Sequence, residues 1–246
     1  MHQRIPAKRI AELQNDDKIY LDLSFQSEER WNDTQRRKYV KSLLSNSCPT
    51  PIVLADVQSC MKYCEDTYGV DSADYLYFKE KDDVGYQYIS IDGNNRSRAI
   101  ARFSQNRFGL NTTEEHKISG IEQPAYRNWK PTNSSRTYSA LPDFIKTHFD
   151  NNVCVIVYKV TEASLTDLCE LFININDGVT LNPQEKRNAI VCKLASIVRE
   201  LSVDFEKFFQ LYWSSDSIKR RNHQEFIVSL WVHTQKSTGG NINKSE

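Results

Sequence analysis

Between Tyr86 and Phe103 the chain reads YQYISIDGNNRSRAIARF, and this stretch limits the fold more than any other. β-prone residues run into Asp92-Gly93-Asn94-Asn95-Arg96, and a helical pattern starts at once in RSRAIARF. Such a junction needs a residue that tolerates positive φ, which Gly93 supplies, and Asn94 or Asn95 as an N-cap. A strand feeding a helix this abruptly places the chain in the α/β or α+β class, where helices pack back onto a sheet.

The same residues fit a second role. The free N–H groups of a helix N-terminus attract anions, phosphate foremost. Arg96 falls in the first turn of the helix, where a cation opposes the helix dipole. An anion held between dipole and guanidinium would account for its position. Arg98 and Arg102 lie four apart and share a face, with Ala99, Ile100 and Phe103 on the other side. The residue chemistry leaves a well-made turn and a phosphate site both open.

Elsewhere the pattern divides the chain. Asn32, Asp33 and Thr34 offer caps for a helix through QRRKYVKSLL, with Val40, Leu43 and Leu44 as its apolar stripe. Prolines end it, and IVLADV reads as a buried strand. Residues 60–83 are predicted as a short helix or turns plus an edge strand, YLYF. Residues 104–150 are rich in turn formers and belong on the surface, apart from a short helix in LPDFIKTHF. NVCVIVYKV reads as a fully buried strand. From there on only helices are expected. One opens with a capping box at Ser164 and Asp167, another with Asn182, Pro183 and Glu185. Ile190, Leu194, Ile197, Leu201 and Phe205 form an apolar stripe, and a last helix packs Phe226, Ile227, Leu230 and Trp231. The expected layout is an α/β domain over 1–160 with a mixed sheet, a helical extension over 161–236, and a tail or linker over 237–246.

Composition narrows the function classes. The 39% hydrophobic and 26% charged residues of this 246-residue chain describe a globular protein rather than a disordered one. With 32 basic and 32 acidic residues, bulk charge selects no partner. The longest apolar run, Val153–Tyr158, is too short to cross a membrane. MHQRIPAKRI lacks the apolar core of a signal peptide. The scattered cysteines (48, 60, 64, 154, 169 and 192) read as packing thiols in a reducing compartment, the cytoplasm. The histidines show no zinc spacing, and no ββα His-Asn-His nuclease segment occurs.

Gly93-Asn94-Asn95-Arg96-Ser97-Arg98-Ala99 resembles the Gly-x-x-Arg-x-Arg-Ala element of the ParB/sulfiredoxin superfamily. With Asp92 included it is closer to the Asp-Gly-Gln-Gln-Arg motif in the N-terminal domain of GmrSD-type restriction proteins. Phe25, Gln26, Trp31, Ser42, Pro49, Pro51 and Ile52 resemble that family's opening. Phe172, Asn176, Gly178, Leu181, Glu185 and Arg187 resemble its later element. The resemblance implies a ParB-like domain that binds and hydrolyses a nucleotide triphosphate with Mg2+ and serves the recognition of foreign DNA. It implies phosphate contacts from Gly93, Arg96 and Arg98, with Gln26, Asn176 and Arg187 closing the site. Asp92 would position magnesium or water, and Asn94 and Asn95 would orient the attacking water. The family's glutamines are asparagines here, each one methylene shorter, and Ser27 replaces its arginine after Phe25-Gln26, so binding is better supported than hydrolysis. The implied partners are DNA and a nuclease, either C-terminal or on a separate protein; a homodimer is left open. The rival expectations are a non-catalytic DNA- or protein-binding module and a ParB-like nuclease.

Three further clusters stand out. QRRKYVK carries Arg36, Arg37, Lys38 and Lys41, and SIKRRNH carries Lys219, Arg220 and Arg221. Both read as solvated faces or as contacts to a DNA backbone, with the family context favouring DNA for the second. AYRNWKPTNSSRTY mixes aromatic and basic residues, as a loop that stacks on a base or one that folds onto its own rings.

Overall fold

The computed structural model describes residues 2–21, 31–48, 50–176, 193–219 and 222–237. The described residues up to Ser164 form one compact unit and those from Leu165 on form a second.

The first unit is built on a mixed five-stranded sheet. Its strands are β1 (His2–Pro6), β2 (Ile19–Tyr20), β3 (Ile52–Asp56), β4 (Tyr88–Asp92) and, after a hairpin that lies outside this sheet, a last strand at Cys154–Val160. The hairpin strands are β5 (His116–Lys117) and β6 (Asn128–Trp129), so the last strand is β7. The order is β1-β7-β3-β4-β2. β3 runs parallel to β7 and antiparallel to β4, while β2 is parallel to β4 and β1 antiparallel to β7. The mixed sheet of the α/β class expected from the sequence is present.

Among the described residues six α-helices belong to this unit: α1 (Ala7–Asn15), α2 (Asp33–Leu44), α3 (Val57–Tyr68), α4 (Ala73–Val84), α5 (Asn94–Ser104) and α6 (Asp143–Asn151). α2 starts where the sequence places it, in a capping box: Asn32 accepts from Gln35 N–H, and the Gln35 side chain accepts from Asn32 N–H. α5 packs on α1 and α2 and buries Ala99, Ile100 and Phe103. The core runs on through Ile10, Leu44, Ile52, Leu54, Ile145, Phe149 and Val157. The irregular stretch after α5 contributes Leu110, Ile118, Ile121 and Leu141 to it. Cys48, Cys60, Cys64 and Cys154 are free thiols.

Three expectations for this unit need correction. YLYF is not an edge strand: it lies in α4, which starts at the Ser72 cap, buries Phe78 completely and ends at Gly85 with φ 95°. NVCVIVYKV is not buried on both faces. In β7 Val155 and Val157 are buried and their neighbours partly exposed, the alternation of a sheet covered more deeply on one face. Asn94 and Asn95 are not the cap of α5; Gly93 occupies that position.

The second unit is helical: α7 (Leu165–Asn176), α8 (Lys193–Asp204), α9 (Glu206–Tyr212), α10 (Ser215–Lys219) and α11 (Asn222–Ser237). α8 packs with α11. The expected stripe on α8 is displaced by one residue. Val198 and Ser202 are buried, whereas Ile197 and Phe205 are exposed; Ile190 lies outside the described residues. On α11 the buried residues are His223 and Gln224, and Phe226, Leu230 and Trp231 are exposed. No helix among the described residues is long and apolar enough to cross a membrane.

Candidate anion site at the head of α5

The junction sits beside the sheet's centre. β4 carries one extra residue opposite β3: Leu54 pairs with Ser90, but Val53 pairs with Asp92. Such a bulge twists and re-aims the strand end, here just before the turn. Gly93 follows with φ 95° and ψ 15°. A Cβ there would lie 3.1 Å from the Ile52 Cα and 3.0 Å from its Cγ1, so both the left-handed backbone and the close approach to β3 require glycine.

Asp92 has both carboxylate oxygens engaged. Oδ1 accepts from the Gly93 N–H at 2.7 Å, and Oδ2 accepts from Arg96 Nη2 at 2.5 Å. Arg96 is thereby pinned over the first turn with only 12% of its side chain exposed. No side chain caps the helix, and the first N–H groups of a helix have no partner within it.

Asn94 is 8% exposed, and its Nδ2 is buried without a hydrogen-bond partner. A buried donor left unpaired costs roughly 1–3 kcal/mol. Its backbone carbonyl accepts from Ser97 Oγ at 3.1 Å, and Gln14 Nε2 on α1 donates to the same hydroxyl at 3.0 Å. The first turn is thus braced from α1. Asn95 is partly buried.

Two contributors went unnoticed in the sequence. Gln14, 83 residues away, holds Ser97. Tyr39 on α2 places a buried hydroxyl in the field of Arg96. Burial raises its pKa well above the ordinary value, the Cys48 thiol adds to that, and the Arg96 guanidinium opposes it. The hydroxyl therefore stays neutral. Trp31 packs edge-on against the Tyr39 ring.

The remaining predicted residues are dispersed. Arg98 faces away from Arg96 and lines a groove between α1 and α5. Asn176 is the last residue of α7 in the second unit, where its amide donates to the Phe172 carbonyl at 2.8 Å. Gln26, Arg187, Arg220 and Arg221 lie outside the described residues, as does the side chain of Lys219. In the first basic run, Arg36 pairs with Asp33 at 2.7 Å, Arg37 donates to the Gly109 carbonyl at 3.0 Å, and Lys41 pairs with Glu114. Those three cations serve the fold. In the aromatic-basic loop, Tyr126 stacks on Phe144 and Tyr138 packs on Phe103 and Phe149, so two of its rings are turned onto the protein.

An uncapped helix end, a pinned guanidinium and an unpaired buried amide are together at this turn, the groups by which proteins hold anions. No group of three His, Cys, Asp or Glu suited to a metal occurs among the described residues. Asp92 is the carboxylate of the turn, and its oxygens keep lone pairs beyond the two hydrogen bonds. Mg2+ ordinarily needs only one or two carboxylates when phosphates and waters fill its other positions. The residues present fit a metal that arrives with a phosphate.

The model of one protein family, the N-terminal domain of GmrSD restriction endonuclease, matches residues 10–192. That span includes the whole junction. No curated protein and no solved structure matches the chain.

Proposed function

The chain belongs to the family of GmrSD restriction endonuclease N-terminal domains, and from that premise we propose that it binds and hydrolyses a nucleotide triphosphate at the head of α5 within a system that acts on foreign DNA. The observation that carries this reading is the unpaired Asn94 amide beside the pinned Arg96 at an uncapped helix end.

Phosphoryl transfer mostly needs placed charge. Arg96 and the first N–H groups of α5 hold the terminal phosphates. Asp92 fixes the guanidinium, and a remaining lone pair on it would hold Mg2+ carried by the nucleotide, which would offset phosphate charge. Asn94 and Asn95 position the water. Its oxygen bonds to the γ-phosphorus as the bond from that phosphorus to the β–γ bridging oxygen breaks, giving the nucleoside diphosphate and inorganic phosphate, with the proton released to solvent.

The test is phosphate release from radiolabelled nucleotide by wild type and Arg96→Ala. A loss of at least tenfold is expected, and equal turnover would remove Arg96 from the mechanism. The shorter Asn94 and Asn95 favour a second reading, a nucleotide-controlled module without hydrolysis. A panel of ATP, GTP, CTP and UTP with Mg2+ separates the two, because that module is thermally stabilised by nucleotide yet releases no phosphate.

A further inference from the structure

The flank of α5 remote from Arg96 carries a feature that the nucleotide reading leaves unused. Gln14, Asn15 and Asp17 from the end of α1 and the turn after it, with Arg98, Ala101, Arg102, Gln105 and Arg107 from α5 and beyond, line an open groove of about 370 Å³. Its two walls are tied together, since Gln105 Nε2 donates to Asn15 Oδ1 at 2.7 Å. Three of its side chains are arginines, three are amides, and Asp17 is its single carboxylate.

Several cations elsewhere on this unit are neutralised within the fold. Lys62 pairs with Asp66, Lys79 with Asp83, Arg36 with Asp33 and Lys159 with Asp56. Arg98 and Arg107 make no ion pair among the described residues. A groove that presents the Arg98 and Arg107 guanidinium groups without an ion pair is matched to phosphates.

We propose that the α1–α5 groove is a docking surface for the phosphate backbone of duplex DNA, separate from the anion cradle at the head of α5. No aromatic ring lines it, so it lacks the stacking platform by which single strands are held. Buried Ala101 between the arginines leaves room for a close backbone approach. From Arg98 to Gln105, just past the end of α5, the chain rises by about 10 Å, equal to about three phosphate steps of one strand measured along the duplex axis. The contacts carry charge and no base pattern, so the surface grips DNA without reading sequence. The choice of DNA rests on the restriction-family reading; the phosphate chemistry does not.

The test is fluorescence anisotropy of the whole chain with a labelled 20-base-pair duplex across a salt series. Arg98→Gln/Arg107→Gln is compared with Lys62→Gln/Lys79→Gln, which removes the same charge from other faces, after both are shown to melt like wild type. The groove variant should bind at least tenfold more weakly at low salt. Its slope of log affinity against log salt should fall by about two, and the control should match wild type. Equal affinity in groove variant and wild type, equal weakening in both variants, no duplex binding by wild type, or tighter binding of a single strand would each overturn the proposal. So would competition by inorganic triphosphate at micromolar levels, which would mark a small-anion site. Absence of phosphate release with groove-dependent duplex binding intact would sink nucleotide hydrolysis alone.

Discussion

Asn94 is placed at a loss in the free protein. Its side-chain nitrogen is buried and unpaired, in a helix that alanine would favour. Such a loss persists when the group serves a bound state. Asn94→Ala should therefore leave the melting temperature of the free protein unchanged or raise it by a few degrees, while abolishing most of the stabilisation that nucleotide confers. Thermal melts with and without nucleotide check this; a free protein that melts much lower would show that the amide serves the fold. Arg96 was legible in the sequence because a cation at the positive end of a helix has no local reason to be there. Gln14 and Tyr39 were not. Each sits in a helix where its neighbours read as core or surface, and only tertiary packing brings them to the first turn of α5.

At the scale of elements, the junctions were easier to read than the stretches between them. Gly93 and the prolines before β3 are strong punctuation, so β3, β4 and α5 stand where the sequence places them. YLYF misled because aromatic residues favour strands, a preference that tertiary context overrides. The deciding signals were quieter: Ser72 as cap, Gly85 as stop, and Lys79 four residues before Asp83. Ser72 Oγ accepts from the Tyr75 N–H at 3.2 Å. Ser72→Ala should lower stability by about 1 kcal/mol, a fall of about 2–4 °C in melting temperature for a chain of this size. An edge strand at this place would have no cap to lose, so a neutral result would contradict α4. The stripe on α8 failed differently: a period of three and four fits two adjacent faces almost equally well, and the chain buries the one with Val198 and Ser202.

Over the whole molecule, the sheet joins segments far apart in sequence, and one charged pair marks that closure. Asp56 ends β3 and caps α3 by accepting from Ser59 N–H at 2.9 Å, while Lys159 of β7 reaches it at 2.7 Å. Burial pushes the Asp56 carboxyl up, but the Lys159 ammonium and the Ser59 donors outweigh it and leave it below the ordinary value of 3.8. Lys159 is raised above 10.5, chiefly by its hydrogen bond to Asp56. A carboxylate that is more acidic folded than unfolded stabilises the fold fully above its unfolded pKa and loses that contribution as pH falls through the folded one. The lysine's share is present below its unfolded pKa and lost as pH rises through the raised one. Between about pH 5 and 9 the pair is complete. His148, lowered from 6.5 by burial, adds its own loss as pH falls below that value, so absolute stability declines in acid for more than one reason. The difference between wild type and Asp56→Asn removes the shared part. Asparagine keeps the cap on Ser59 and loses the ion pair. Urea midpoints should therefore differ by a constant amount from pH 5 to 9 and converge below about pH 3.8. A difference that stays constant down to pH 2 would show that the Asp56–Lys159 charge pair adds nothing to the closure of the sheet.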